Sequence, residues 1–129
     1  MNSLSLLLVE DDPDDIELMN EALKSASIIY SIKTISQGDK VIPYLELCKK
    51  FPDVIILDLN LPKLHGREVL RLIKTSDRFK EIPVAILTTA SSQSEKDYCL
   101  KEGADQFITK PSTVEGFNQT INTIINIAG

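Results

Sequence analysis

The apolar and polar positions of the chain alternate between two periodicities. Five short segments have strand-like patterns, at residues 5–9, 31–35, 54–57, 84–87 and 106–109. Helical spacing of apolar residues between and after them predicts helices at about 14–25, 40–49, 67–76, 94–102 and 113–128. Strict alternation of strands and helices with short connections predicts a parallel sheet that is covered by helices on both faces.

The third predicted strand, Val54–Leu57, is central to this interpretation. Its four consecutive apolar residues indicate a strand that is buried on both faces, as in parallel sheets. The strand ends at Asp58, and Pro62 follows in a segment with loop composition. Ligands of open parallel α/β sheets bind just beyond the carboxyl ends of the strands. Asp58 is therefore a candidate functional residue, although an aspartate that merely ends a strand would by itself be the simpler explanation.

Polar residues at the ends of the other strands favour the functional interpretation. Glu10 and Asp11 follow the first strand, Thr88 the fourth and Lys110 the fifth. Because the carboxyl ends of parallel strands meet at one edge of a sheet, we expect these side chains to converge. Carboxylates, together with the nearby main-chain carbonyl of Asn60, are suitable ligands for Mg²⁺.

This combination of residues is suited to phosphoryl chemistry. An aspartate such as Asp58 can attack phosphorus as a nucleophile and form an acyl phosphate. A divalent cation would offset the negative charge of the incoming phosphoryl group, and Lys110 could pair with that group. The hydroxyl of Thr88 could bind a phosphoryl oxygen.

Length and charge narrow the possible classes of protein. A chain of 129 residues, with 43% hydrophobic and 26% charged residues, is typical of one soluble globular domain, which we assign to residues 1–129. Six of the 19 acidic residues cluster near two strand ends, so 13 remain against 14 basic residues. They are Glu10, Asp11, Asp12, Asp14, Asp15 and Asp58. The net charge of -5 argues against a nucleic-acid-binding surface.

Cysteine usage and hydropathy indicate a cytoplasmic protein. Cys48 and Cys99 both fall in predicted helices; one disulfide is conceivable, but two reduced thiols are the default expectation. No apolar run approaches the roughly 18 residues that a membrane span requires. The apolar segment at residues 4–9 lacks the basic start and the cleavage site of a signal peptide.

In this order and spacing, the motifs resemble the receiver domains of two-component response regulators over essentially the whole chain. The matching residues are Leu8–Asp12, Asp58–Pro62, Gly66, Thr88, Lys110 and Pro111. Segments 58–62 and 66–70 look most like the small regulators associated with bacterial phytochromes. The resemblance implies a doubly wound, flavodoxin-like (βα)5 sheet with strand order 2-1-3-4-5, and a receiver without an output domain.

The resemblance also implies a role for each site residue. Asp58 would be the phosphoacceptor, Asp11 a direct Mg²⁺ ligand and Glu10 a ligand through water. Asn60 would supply its main-chain carbonyl to the metal. Lys110 would contact the phosphoryl group and precede a cis bond to Pro111.

Two residues would form the switch that transmits phosphorylation. Thr88 would move towards the phosphoryl group, and Phe107 would rotate into the vacated space. Phe107 departs from the tyrosine that many members carry at this position. Thr89 replaces a usually smaller residue, and His65 replaces a commonly acidic one; we expect His65 to be an exposed loop histidine.

The implied partners are a sensor histidine kinase, for example of the phytochrome type, or a phosphotransfer protein. A second copy of the chain could bind through residues 94–128, the expected output face. A receiver-like adaptor that works without phosphorylation is the alternative. A flavodoxin-like electron carrier is disfavoured because the acidic segment Glu10–Asp12 would repel the FMN phosphate and aromatics make up only 5% of the chain. An aspartyl phosphatase is disfavoured because Asn60 stands where a second carboxylate is usual.

Overall fold

The computed structural model of the protein describes residues 3–89 and 92–129. Ala90 and Ser91, in the predicted loop after the fourth strand, lie outside the described residues. Strands and helices alternate as β1 (Leu4–Val9), α1 (Pro13–Ser25), β2 (Tyr30–Ile35), α2 (Val41–Leu47), β3 (Val54–Leu57), α3 (Gly66–Thr75), β4 (Val84–Thr88), α4 (Gln93–Lys101), β5 (Gln106–Thr109) and α5 (Val114–Ala128). A 3₁₀ turn at Gly38–Lys40 leads into α2.

The five strands form one parallel sheet in the order β2-β1-β3-β4-β5, which confirms the predicted topology. Val9 lies opposite Leu57, and Leu57 lies opposite Ile86. The carboxyl ends of the three central strands are therefore aligned. All four residues of β3 are buried, whereas β2 lies at the edge of the sheet and alternates between exposed and partly buried residues along most of its length.

Alternate residues of the central strands belong to two separate hydrophobic cores. Val9, Leu57 and Ile86 face the core that is shared with α2, α3 and α4. Leu8 and Ile56 face the other core, which is shared with α1 and α5. Both faces of the sheet are thus covered, and the edge at the carboxyl ends of the strands is where functional side chains can reach solvent.

The second helix is shorter than the predicted segment 40–49. Helix α2 ends at Leu47, and Cys48 already has extended backbone angles (φ -70°, ψ 129°). The chain must reach β3 within a few residues, and Pro52 disfavours helical geometry at Phe51. Cys48 is half-buried and Cys99 is buried, and both are free thiols as expected.

Within residues 3–89 and 92–129, no helix has both the length and the apolar character that crossing a membrane requires.

Candidate phosphoacceptor and cation site

Main-chain hydrogen bonds between strand ends bring the predicted site residues together. The N–H of Asp58 donates to the carbonyl of Val9 (3.0 Å), directly before Glu10. The N–H of Lys110 donates to the carbonyl of Thr88 (2.9 Å). Residues at or directly after the carboxyl ends of four different strands therefore meet at one edge of the sheet, as the alternating sequence pattern predicts.

The ammonium group of Lys110 occupies the centre of this site. Its Nζ lies 2.8 Å from Glu10 Oε1, 2.8 Å from Asp15 Oδ2 and 3.0 Å from Asp58 Oδ2. A lysine ammonium has three donors, so each carboxylate can accept one hydrogen bond. The lysine side chain is only 7% exposed, and these contacts therefore operate in a mostly desolvated environment.

Asp15 is a site residue that the sequence reasoning missed. Its position in the first turn of α1 suits the positive end of the helix dipole, and this alone is a sufficient explanation for an acidic residue there. A signal was present, because Asp15 lies four residues before Met19, a core residue of the same helix. Residues at this spacing share one face of a helix, and Asp15 therefore points towards the sheet.

The carboxylate of Asp58 is held by both of its oxygens. Oδ1 accepts hydrogen bonds from the main-chain N–H of Leu59 (2.7 Å) and, at 3.5 Å, of Asn60. Oδ2 accepts from Lys110. The side chain is buried, so its orientation is set by these donors and by the end of β3 rather than by water.

Three carboxylates lie close enough to share one cation. Glu10, Asp11 and Asp58 each offer an oxygen, and these oxygens lie within 4.8 Å of one another. Glu10 and Asp58 are buried, whereas Asp11 is exposed and leaves the site open to solvent on one side. Hard oxygen ligands with an open side fit Mg²⁺, which keeps several of its waters. The contribution of the Asn60 carbonyl stays a prediction.

Burial and neighbouring charges shift the protonation of the site. Burial, together with the charge of Asp58, raises the pKa of Glu10 to about 7, against an opposing hydrogen bond from Lys110. Burial lowers the pKa of Lys110, but its hydrogen bonds with Asp15, Glu10 and Asp58 more than compensate and raise it above the usual value. Lys110 is therefore a permanent cation, and Glu10 changes its charge near neutral pH.

Thr88 and Phe107 lie on the same face of the sheet. Phe107 is half-buried on β5 and is paired in register with Ile86, two residues before Thr88 on β4. Side chains two residues apart on a strand point to the same face. Thr88 is fully buried at the edge that carries Asp58. This arrangement is compatible with the predicted switch, whose movement stays a prediction.

The loop after Asp58 packs closely on the site through Gly66. The N–H of Gly66 donates to the carbonyl of Leu59 (2.8 Å). A Cβ at this position would collide with the main-chain oxygen of Asp58, so the approach requires glycine. The preceding His65 is exposed, as expected, and its Nδ1 accepts from the N–H of Arg67 (3.1 Å), which caps the start of α3.

The expectation of a cis bond between Lys110 and Pro111 is wrong for this structure. The described residues contain no cis peptide bond, and this bond is trans. The two isomers of an X–Pro bond differ by only about 1 kcal/mol, so the presence of proline does not by itself select the cis form.

Comparison with known proteins gives the family. Residues 6–122 match the family model described as "Response regulator receiver domain". The chain belongs to this receiver domain family. Phosphorylation on an aspartate is general among receiver domains, which are signalling proteins, and Asp58 is the buried aspartate beside the lysine here.

Relatives and solved structures are consistent with this assignment. The response regulator Rcp1 of Synechocystis is 32% identical over 92% of this chain and 84% of its own length. The probable methanogenesis regulatory protein FilR2 of Methanothrix harundinacea is 32% identical over 92% of this chain and 79% of its own.

Two solved structures of regulators of this type are similar throughout. Phosphorylated RcpA, a cyanobacterial phytochrome response regulator, has a TM-score of 0.86 at 33% identity and covers 95% of this chain and 91% of its own. The Mn²⁺-bound form of Rcp1 has a TM-score of 0.84 at 31% identity and covers 94% of this chain and 90% of its own.

Proposed function

We propose that this receiver domain accepts a phosphoryl group on Asp58 in a Mg²⁺-dependent reaction and signals through its protein surface. The observation that carries the proposal is the contact between Asp58 Oδ2 and Lys110 Nζ at 3.0 Å, beside two further carboxylates that can share a cation. The similarity to phosphorylated RcpA and to Mn²⁺-bound Rcp1 supports it.

The reaction begins with attack of an Asp58 carboxylate oxygen on the phosphorus of a phosphohistidine. The new O–P bond forms an acyl phosphate, and the P–N bond breaks so that the imidazole leaves with its electron pair. Lys110 holds its positive charge next to the position that the phosphoryl oxygens reach. Mg²⁺ held by Glu10, Asp11 and Asp58, with the Asn60 carbonyl, would offset the negative charge of the phosphoryl group.

The phosphoryl donor is a sensor histidine kinase or a phosphotransfer protein. The similarity to Rcp1 and RcpA favours a kinase of the phytochrome type. The signal leaves through residues 94–128 after Thr88 and Phe107 change position, either to a partner protein or to a second copy of the chain. We place the protein in the cytoplasm, where its free thiols stay reduced.

Incubation with a small phosphodonor such as acetyl phosphate, followed by intact-mass measurement, tests the proposal. Wild type should gain one phosphoryl group with Mg²⁺ and none with a chelator. Asp58→Asn should gain none. Asp77→Asn is the matched control, because it removes an aspartate whose side chain is 99% exposed and paired with Lys80, and it should react like wild type.

A mass gain that persists in Asp58→Asn would refute the assignment. The alternative function, an adaptor that works without phosphorylation, makes a different prediction. In that case wild type would gain no mass, and binding to a partner captured from cells would be equal for wild type and Asp58→Asn.

A further inference from the structure

The contact between Asp15 and Lys110 joins two distant parts of the chain inside the candidate site. Asp15 Oδ2 accepts a hydrogen bond from Lys110 Nζ at 2.8 Å, and 95 residues separate the two. Asp15 lies in the first turn of α1, whereas Lys110 directly follows β5. The carboxylate of Asp15 is 21% exposed, so it can be altered without opening the hydrophobic core.

Asp15 differs from the other two partners of Lys110 in what else it can bind. Within the described part of the chain, the carboxylates that can share a cation are Glu10, Asp11 and Asp58, and Asp15 is not among them. A cation would draw oxygens of Glu10 and Asp58 away from the ammonium. Asp15 would then be the one carboxylate of the three that stays committed to Lys110.

We propose that Asp15 is a positioning residue that holds the Lys110 ammonium towards Asp58 when a cation occupies the site, before the phosphoryl group arrives. This inference rests on the proposed function, because it assigns a role in that reaction. Lysine is a flexible four-carbon chain that carries a point charge, so one contact to a phosphoryl oxygen fixes its direction poorly. A charged acceptor on a helix that packs against the sheet fixes it before the phosphoryl group arrives.

A role restricted to the helix N-terminus is the competing explanation for Asp15. Asp14 lies beside it in the same turn, is exposed, and interacts with the same helix dipole. Asp14→Asn therefore removes the same charge from the same turn and keeps the contact with Lys110. It is the matched control for Asp15→Asn.

The test combines a rate with a signal that does not depend on phosphorylation. The maximal rate of phosphorylation by acetyl phosphate at saturating Mg²⁺ should fall about tenfold in Asp15→Asn, the size expected for losing a hydrogen bond between charged groups. Asp15→Glu should recover most of that rate, and Asp14→Asn should stay within about twofold of wild type. In ¹H–¹⁵N spectra with Mg²⁺, the ammonium signal of Lys110 should be visible in wild type and lost in Asp15→Asn. The signal is assigned by its absence in Lys110→Met.

Each other outcome is decisive. A wild-type rate in Asp15→Asn, or an ammonium signal that persists in it, would overturn the positioning role. An equal loss of rate in Asp14→Asn would do the same, because it would show a general effect of charge. If wild type accepts no phosphoryl group, the proposed function fails, and the ammonium signals of wild type and Asp15→Asn still decide whether Asp15 orders Lys110.

Discussion

Raising the pH should destabilise the protein in a chelating buffer, because it ionises the buried carboxyl of Glu10. The pKa of Glu10 is raised from 4.5 to about 7, mainly by burial. The native state therefore binds more protons than the unfolded state between these two values, and stability falls as the pH rises through that window. The stability that the protonated carboxyl of Glu10 contributes is fully present below pH 4.5 and is lost above about pH 7.

The size of this effect follows from the shift. At about 1.4 kcal/mol per pKa unit, a rise from 4.5 to about 7 corresponds to about 3 kcal/mol. Glu10 is only 2% exposed, so solvent screens this effect little. The variant Glu10→Gln cannot ionise at this position and should lack this pH-dependent contribution to stability.

Urea denaturation followed by far-ultraviolet circular dichroism measures the difference, since the chain has no tryptophan. From about pH 4 to about pH 8, Glu10→Gln should gain about 3 kcal/mol of unfolding free energy relative to wild type. Saturating Mg²⁺ should reverse the trend in wild type, because the cation requires the ionised carboxylate, and the apparent Mg²⁺ affinity should rise with pH up to about 7. A difference between the two proteins that is the same at both pH values would refute the reasoning.

Three further substitutions test the core, the loop and the switch. Phe117→Ala should lower the free energy of unfolding by about 3–5 kcal/mol, because Phe117 is fully buried; a loss below about 1 kcal/mol in urea denaturation would contradict its place in the core. Gly66→Ala should lower the free energy of unfolding by about 1–3 kcal/mol in the same assay and slow phosphorylation of Asp58, because the new Cβ displaces the main chain of Asp58. Unchanged stability would show that the loop can move to accept the Cβ. Thr88→Ala, phosphorylated to the same extent as wild type, should lose the change in partner binding or self-association on phosphorylation, and an equal response in both proteins would exclude Thr88 as the relay.

The periodicity of the chain was sufficient to predict a parallel sheet covered by helices and most of the site, whereas the strand order 2-1-3-4-5 was implied by the resemblance to receiver domains. Short apolar runs that alternate with helical spacing allow few arrangements, and parallel strands bring their carboxyl ends to one edge. Glu10, Asp58 and Lys110 could therefore be placed together from their positions after predicted strands. The structure brings them within hydrogen-bonding distance.

Only the tertiary structure determined the features of the site that depend on contacts between elements far apart in the chain. The sequence shows that Asp15 begins a helix, but its contact with Lys110 depends on how α1 packs against the sheet. The raised pKa of Glu10 likewise results from burial and from Asp58, which lies 48 residues away. Local pattern determines which face of an element is apolar, whereas packing determines which polar groups meet in the space that remains.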